Sequence, residues 1–245
     1  MRRKLQSLWR FCLDLLFPPA PTCFFCQRPL PQKGQVCFSC LQAISHPPGP
    51  LCRRCGRPLT DKATHCPHCV GADWAFTQAR SVGPYTGELR LAVHRLKFRN
   101  QQDSARVLAR LMFQAIEAEW WPQLDAIVPV PLHRDRARQR GYNQAELLAY
   151  ELSLLSSCPM QLLLERQQPT PAQTGLSRRQ RRLNMQKAFR LAPEAWHRVQ
   201  QKRILLVDDV LTTGSTLDAC ARTLRRAGCR EVRVVTVAIT NKELQ

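Results

Sequence analysis

Two adjacent carboxylates and a hydroxyl-rich loop stand together near the end of the sequence. Asp208 and Asp209 follow the apolar run Ile204 to Val207 and precede Thr212-Thr213-Gly214-Ser215-Thr216. Carboxylates accept hydrogen bonds from vicinal sugar hydroxyls and also suit hydrated Mg²⁺. A tight loop that enters a helix directs backbone N–H groups at one point, where a phosphate binds, and Gly214 lets the backbone approach that anion closely. The segment therefore predicts a site for a phosphorylated sugar. A plain helix cap beside a solvated acid is the alternative.

Eight of the 12 cysteines form four C-x-x-C pairs within one short segment. The spacing C-x2-C-x10-C-x2-C occurs twice, with Arg-Pro-Leu at the same place each time, so the segment is an internal repeat. Two C-x-x-C turns complete a tetrahedral Cys₄ zinc site, and closed sites of this kind are structural. We predict structural Zn²⁺ held by Cys23, Cys26, Cys37, Cys40, Cys52, Cys55, Cys66 and Cys69. The repeat favours pairing in sequence order, and interleaved pairing stays open.

Charge is the strongest compositional signal. The 245 residues include 37 Lys+Arg and 18 Asp+Glu, a formal net charge of +19. Such an excess favours polyanionic partners, whether phosphates, nucleic acid or an anionic membrane surface. With no recognisable secretion signal, the cysteines indicate a reducing compartment, so we expect a cytoplasmic protein. No run approaches the roughly 20 apolar residues that a transmembrane helix needs.

The first residues have the pattern of an amphipathic helix that ends at Pro18. Its apolar positions are Leu5, Leu8, Trp9, Cys12, Leu15 and Leu16. We expect this helix to pack on the protein's own core. Peripheral contact with a membrane surface is the alternative, supported by Arg2, Arg3 and Lys4.

Beyond Gln78 short apolar runs alternate with helical patterns, which predicts an α/β domain with a parallel sheet covered on both faces. We predict strands at 79–85, 125–130, 160–164, 203–207 and 231–239, and helices at 87–98, 103–120, 143–155 and 215–227. Ligands of such sheets bind beyond the carboxyl ends of the strands, where Asp208 and Asp209 stand. The expected organisation is a helix at 1–19, a zinc module at 20–70 and the α/β domain at 79–245.

The stretch ILLVDDVLTTGST, residues 204–216, resembles the phosphoribosyl-pyrophosphate (PRPP) motif of type I phosphoribosyltransferases. With the cysteine module in front, the chain is similar to the ComF/GntX family of competence-related proteins. The likeness covers nearly the whole chain and includes Arg140-Gly141-Tyr142-Asn143-Gln144. It implies a type I phosphoribosyltransferase-like parallel-sheet domain with a small N-terminal Cys-rich zinc module. It also implies binding of PRPP with Mg²⁺ and a role in DNA uptake or in the use of DNA as a nutrient.

The resemblance assigns roles to particular residues. Asp208 and Asp209 would contact the ribose hydroxyls, and Thr212 through Thr216 the 5′-phosphate. The arginine-rich segment that ends at Arg140 resembles the pyrophosphate loop of these enzymes, and Arg140 would neutralise the leaving pyrophosphate. Lys97 is a second candidate for this role, with an ordinary solvated lysine as the alternative.

A polar, basic segment at 167–187 contains Arg178, Arg179, Arg181 and Arg182. We predict that it forms a mobile hood which excludes water from the site. A solvated helix face and a contact with a DNA backbone are the alternatives.

Two hypotheses about function follow. The first is a PRPP-binding, phosphoribosyltransferase-like protein of DNA uptake or utilisation, with the DNA-uptake machinery as its protein partner. The second is a non-enzymatic PRPP sensor that binds single-stranded DNA. The sequence reveals no acceptor-base pocket, so it assigns no acceptor.

Overall fold

A four-stranded parallel sheet forms the centre of the α/β domain in the computed structural model. Its strands lie in the order β1 (Gln78–Pro84), β6 (Glu231–Ile239), β5 (Arg203–Leu211) and β2 (Ala126–Pro129). The run Ile204 to Val207 in β5 is completely buried, as expected for a parallel strand covered on both faces. The predicted parallel sheet is confirmed.

Helices cover both faces of this sheet. Helix α7 (Ser215–Arg226) packs on the face that carries Ile204 and Leu206. Because side chains alternate along a strand, Leu205 and Val207 point to the other face, where α3 (Gln102–Ala115) and α5 (Gln144–Ser156) contact the strands and each other. The remaining elements are α1 (Phe38–Ile44), α2 (Gly87–Phe98), a 3₁₀ helix (Ala118–Gln123), α4 (Arg134–Arg140), β3 (Leu164–Arg166), β4 (Phe189–Leu191) and α6 (Trp196–Val199).

Several element boundaries differ from the predicted ones. The helix predicted at 103–120 ends at Ala115, and Pro122, which has no N–H to donate, lies in the 3₁₀ helix that follows. The strand predicted at 160–164 is displaced: β3 covers Leu164–Arg166 and pairs antiparallel with β4, while Met160 makes a single bridge to Ile127. Helix α4 was not predicted, since its sequence RDRARQR has no apolar period.

The structure describes residues 21–30, 35–59, 63–98, 102–167 and 188–240. The chain divides into two compact units, 1–43 and 44–245. The second half of the cysteine repeat thus belongs to the same unit as the sheet. The expected boundaries at 1–19, 20–70 and 79–245 stay predictions. The N-terminal helix and nearly all of the segment 167–187 lie outside the described residues.

Candidate functional site

Asp208 and Asp209 lie in β5 at a point where one neighbouring strand has ended. Pairing of β5 with β2 stops at Val207, opposite Pro129. Pairing with β6 continues on the other side as far as Leu211, so β5 runs beyond its predicted end at 207. The sheet is therefore open beside the two carboxylates on its β2 side, where a ligand has access to them.

A cavity of about 160 Å³ occupies this open edge. Of the predicted site residues it is lined by Asp208, Asp209, Arg140 and Thr216. The rest of its lining is Lys97, Val130, Pro131, Leu132, Asn143, Gln144 and Arg166. Thr212, Thr213, Gly214 and Ser215 lie in the adjoining turn rather than on the cavity wall. The structure thus brings both acids, the predicted arginine and the start of α7 to one place.

Lys97 pairs with one of the two acids. Its Nζ lies 2.8 Å from Asp209 Oδ2, and the side chains are 23% and 14% exposed. The Tyr142 hydroxyl donates a 2.5 Å hydrogen bond to the Leu96 carbonyl, which ties the end of α2 to the turn that follows Arg140. Lys97 is therefore held at the carboxylates and is not a solvated lysine.

Asp208 has an unusual proton affinity. Burial, and then the charge of Asp209, raise the pKa of Asp208 to about 8, against the opposing effects of the Asp209 N–H, Lys97 and Arg166. The Asp209 N–H donates to Asp208 Oδ1 at 2.8 Å. Near neutral pH Asp208 is therefore protonated, whereas the charge of Asp209 is balanced by the ammonium group of Lys97.

The turn after Arg140 is fixed against the end of β2. Helix α4 stops at Arg140 because Gly141 takes a left-handed conformation with φ 78°. Asn143 then caps α5: its Oδ1 accepts from Ala145 N at 3.1 Å, and its Nδ2 donates to Val130 O at 3.0 Å. This buried amide anchors the turn that positions Arg140.

Gln144, Asn143 and Arg166 also line the cavity, although no sequence motif predicts a role for them. The only available signal for the first two was their place directly after Arg140-Gly141-Tyr142. Arg166 lies in a strand, β3, whose position was predicted wrongly.

The turn between β5 and α7 requires glycine at position 214. Gly214 has φ 83°, and a Cβ there would lie 3.0 Å from the ring of Trp74. Within the turn, the hydroxyls of Thr213 and Ser215 are 3.0 Å apart, and Ser215 N donates to Thr213 Oγ1 at 3.4 Å. The tight turn predicted before the helix is present, with hydroxyls and backbone N–H groups at the start of α7.

The eight cysteines of the repeat form two clusters in sequence order. Within each cluster the sulfurs lie within 4.8 Å of one another, and Sγ–Sγ distances are 3.7 Å for Cys26–Cys37 and 3.4 Å for Cys55–Cys66. Tetrahedral zinc with Zn–S bonds of about 2.3 Å places sulfurs roughly 3.8 Å apart, so both clusters fit Zn²⁺. The members are Cys23, Cys26, Cys37 and Cys40, and Cys52, Cys55, Cys66 and Cys69.

The two halves of the repeat have the same local fold. Cys23 N donates to Arg28 O at 2.8 Å, and Cys52 N donates to Arg57 O at 2.7 Å. In each half the third cysteine N–H donates to the first cysteine Sγ at 3.3 Å. All four sulfurs of the second cluster are buried, whereas Cys26 and Cys37 of the first are partly exposed.

No helix in the described part of the chain has the length and apolar character needed to cross a membrane.

Comparison with known proteins agrees with this architecture. Residues 95–244 match the phosphoribosyl transferase domain, and residues 12–70 match the double zinc ribbon domain. The fold is therefore that of a type I phosphoribosyltransferase, preceded along the chain by a zinc ribbon module that carries structural zinc. The chain belongs to the family of competence protein F and the DNA utilization protein YhgH.

Competence protein F of Haemophilus influenzae is 41% identical over 158 residues, which are 62% of this chain and 69% of that protein. DNA utilization protein YhgH of Salmonella typhi is 39% identical over 159 residues, 63% of this chain and 68% of that protein. Among solved structures, glutamine PRPP amidotransferase of B. subtilis, complexed with ADP and GMP, is 20% identical with a TM-score of 0.40. That alignment covers 58% of this chain and 30% of the amidotransferase, and so distant a likeness says nothing about activity.

Proposed function

We propose that the chain binds PRPP at the carboxyl end of its parallel sheet. The ribose hydroxyls would contact Asp208 and Asp209, the 5′-phosphate would lie on the turn Thr212 through Thr216, and the pyrophosphate would face Arg140 and Lys97. One observation carries the proposal: two acids, three bases (Lys97, Arg140 and Arg166) and Thr216 in the first turn of α7 line a single cavity. Acceptor oxygens for hydroxyls and cations for phosphates are both required by a phosphorylated sugar.

The charge states of Asp208 and Asp209 favour the binding of an anionic ligand. Two ionised carboxylates would repel the phosphates of PRPP. Lys97 neutralises Asp209 at 2.8 Å, and a pKa of about 8 keeps a proton on Asp208 near neutral pH. The site without ligand thus presents little negative charge while keeping oxygens that pair with hydroxyls. The net charge of +19 attracts the same ligand over longer range.

Transfer of the phosphoribosyl group is the reaction that this arrangement suits. The bond between ribose C1 and the pyrophosphate oxygen breaks, its electron pair leaves with pyrophosphate, and an acceptor atom supplies a new pair to C1. Arg140 and Lys97 would stabilise the charge that develops on the departing pyrophosphate. Asp208 and Asp209 would hold the ribose while positive charge grows at C1.

A neighbouring cavity provides room for an acceptor. It measures about 420 Å³ and shares Pro131, Leu132 and Arg166 with the smaller cavity. Its size is within the range of pockets for small organic ligands. The acceptor would therefore enter beside β3 and approach the ribose from the side of Leu132.

Two metals accompany this function. Mg²⁺, when bound with PRPP, would neutralise its phosphate oxygens, and the carboxylate oxygens of Asp208 and Asp209 are ligands of the hard type that suits it. Zinc is structural, because four thiolates leave no open coordination position. Reduced thiolates also favour the cytoplasm as the location.

We further propose that PRPP binding serves DNA uptake or utilisation. The proposal rests on the names of the two relatives, competence protein F and DNA utilization protein YhgH. Proteins of the DNA-uptake machinery would be the partners in the cell.

Pyrophosphate release tests the enzymatic proposal. The purified chain is mixed with PRPP, Mg²⁺ and a panel of bases and nucleosides, and pyrophosphate is followed over time. We expect release with at least one acceptor, and its loss in the double variant Asp208→Asn, Asp209→Asn. Saturable PRPP binding without release for any acceptor would favour the sensor instead.

The sensor alternative predicts binding of single-stranded DNA, and the charge of +19 favours it. Affinity would fall linearly with salt on logarithmic axes, because phosphate contacts release counterions. Replacing Arg178, Arg179, Arg181 and Arg182 with Gln would flatten that slope by about three if each contacts one phosphate of a single strand. An unchanged slope would exclude these arginines as the DNA contact.

A further inference from the structure

The two halves of the cysteine repeat differ in the surroundings of one arginine. Each half carries Arg-Pro-Leu after its second cysteine, which places Arg28 and Arg57 at equivalent positions. Arg28 is exposed, whereas Arg57 is only 7% exposed. The local backbone is the same in both halves, so the zinc ribbon fold does not by itself require burial of this side chain.

Arg57 contacts the turn proposed to hold the 5′-phosphate. Its Nη2 donates to the Thr212 carbonyl at 2.6 Å, and its Nε donates to the Thr240 carbonyl at 3.2 Å. Thr240 N in turn donates to Leu211 O at 3.0 Å. The guanidinium therefore fixes the ends of β5 and β6 together, at the point where the turn leaves the sheet.

The same guanidinium contacts the second cysteine cluster, since Arg57 Nη1 lies 3.5 Å from Cys55 Sγ. A buried arginine keeps its charge and needs partners for its donors. The Cys55 sulfur, which would be a thiolate with zinc bound, and two carbonyl oxygens supply them. One side chain thus joins the metal site to the turn through charge-assisted hydrogen bonds.

The contact to Thr212 has a consequence for the direction of the next N–H. In a trans peptide the carbonyl and the following N–H point in opposite directions. With its carbonyl held toward Arg57, the peptide after Thr212 directs Thr213 N–H away from the ribbon. The hydrogen bond from Arg57 therefore sets the orientation of the first amide of the turn.

A second set of contacts joins the segment that directly follows the ribbon to α7. Ala75 N donates to Asp218 Oδ1 at 2.8 Å, and Arg222 bridges Asp218 and Asp73. The ring of Trp74 lies against Gly214. The second cysteine cluster also shares its hydrophobic core with Leu211 and Leu217, which flank the turn. The ribbon thus supports the start of the turn, and the segment directly after the ribbon supports its end.

We propose that Arg57 is a positioning residue for the 5′-phosphate turn, through which affinity for the phosphorylated ribose depends on the metal of the second cysteine cluster. This inference rests on the proposed function. It assigns the second zinc ribbon a part in ligand binding that the first ribbon does not share. Loss of the metal would release Cys55, deprive Arg57 of one partner and loosen the carbonyl of Thr212.

Binding of two ligand fragments tests the inference. Titration calorimetry compares ribose 5-phosphate, which needs the turn, with pyrophosphate, which needs Arg140 and Lys97. We expect Arg57→Gln to lower the affinity for ribose 5-phosphate about tenfold, which corresponds to the loss of roughly one charged hydrogen bond. Its affinity for pyrophosphate and its content of two zinc ions should be unchanged. Arg57→Lys keeps the charge but lacks the planar guanidinium. Its affinity for ribose 5-phosphate should lie between those of Arg57→Gln and the wild type.

The repeat provides matched controls. Arg28→Gln should bind both fragments as the wild type does. Cys66→Ser should lower the affinity for ribose 5-phosphate. Cys37→Ser, at the equivalent position of the first cluster, should leave that affinity unchanged. Two results would overturn the inference but not the proposed function. One is equal affinity of the wild type and zinc-loaded Arg57→Gln for ribose 5-phosphate, and the other is an equal loss of affinity for both fragments in Arg57→Gln. Failure of the wild type to bind either fragment would overturn the proposed function itself.

Discussion

Lys97 Nζ lies 2.8 Å from Asp209 Oδ2, so a base at the end of α2 is paired with an acid of β5. Asp208 lies next to it in the same strand, and burial together with the charge of Asp209 raises the pKa of Asp208 to about 8. Two adjacent acids in one strand thus differ in charge near neutral pH. The difference gives them separable roles: Asp209 holds a cation at the cavity, and Asp208 offers a carboxyl group that can donate as well as accept.

Replacement of Lys97 by methionine should weaken PRPP binding about tenfold, the loss of one charged contact. It should also lower the unfolding free energy by no more than about 1 kcal/mol, because the ion pair is partly exposed. Pyrophosphate should lose affinity in the same proportion, since Lys97 is proposed to face that part of the ligand. Calorimetry measures the affinities for PRPP and pyrophosphate, and thermal melting measures the change in stability.

Lys202→Met is the matched control, because Lys202 pairs with Asp125 at 3.3 Å at the start of β5, away from the cavity. It should leave PRPP affinity unchanged. Equal effects of Lys97→Met and Lys202→Met on PRPP binding would mean that Lys97 acts only through general charge.

Stability should depend on the ionisation of Asp208 in an unusual direction. Its pKa is about 8 in the folded chain against 3.8 as the ordinary value. The folded state holds the proton more tightly, so ionisation costs stability as pH rises from about 4 to 8, and the full cost is present above 8. Asp208→Asn should therefore raise the unfolding free energy at pH 9 by at least about 1 kcal/mol, with a smaller gain at pH 5.

Denaturant unfolding at the two pH values measures this gain. Asp125→Asn is the control: despite burial, the Arg203 N–H and Lys202 lower the pKa of Asp125, so its loss should destabilise the chain equally at both pH values. A gain for Asp208→Asn that does not grow with pH would show that Asp208 ionises normally.

Gly214→Ala should impair both the fold and the site. The added Cβ meets Trp74 at 3.0 Å in a backbone with φ 83°, so we expect a loss of roughly 1–3 kcal/mol in unfolding free energy. Weaker binding of ribose 5-phosphate should accompany it. Gly87→Ala shares the positive φ, at 47°, but has nothing within 4 Å of its Cβ. A smaller loss for Gly87→Ala would separate the clash with Trp74 from backbone strain.

Each cysteine cluster should hold one zinc ion. Replacing Cys26 and Cys37 with serine should halve the zinc content measured by atomic absorption, and so should replacing Cys55 and Cys66. Only the second pair should lower the melting temperature of the α/β domain, since the second cluster is part of its hydrophobic core. Zinc content that is unaffected by either pair would exclude these clusters as the metal sites.

The sequence predicted those features that depend on local pattern. The carboxylate pair, the tight turn and α7 follow one another along the chain, so their order alone placed them at the carboxyl end of a strand. The cysteine repeat likewise predicted pairing in sequence order, because each half closes its own site. Apolar periodicity placed α5 within a residue of its observed bounds.

Features that depend on packing could not be predicted in this way. Arg28 and Arg57 occupy the same motif, and only the position of the second ribbon in the larger unit buries one of them. Helix α4 has one apolar residue, Ala137, and is ended by Gly141, so no hydrophobic period marks it. The continuation of β5 past Val207 depends on pairing with β6 alone, which is a property of the sheet and not of the strand.

We propose above that Asp208, Asp209 and the first turn of α7 form one site for PRPP. Calorimetric titration of the purified, zinc-loaded chain with millimolar PRPP and Mg²⁺ tests it most directly. We expect a saturable heat and a raised melting temperature, both lost in the double variant Asp208→Asn, Asp209→Asn. No heat and no change in melting with the folded wild type, or full binding by the double variant, would contradict it.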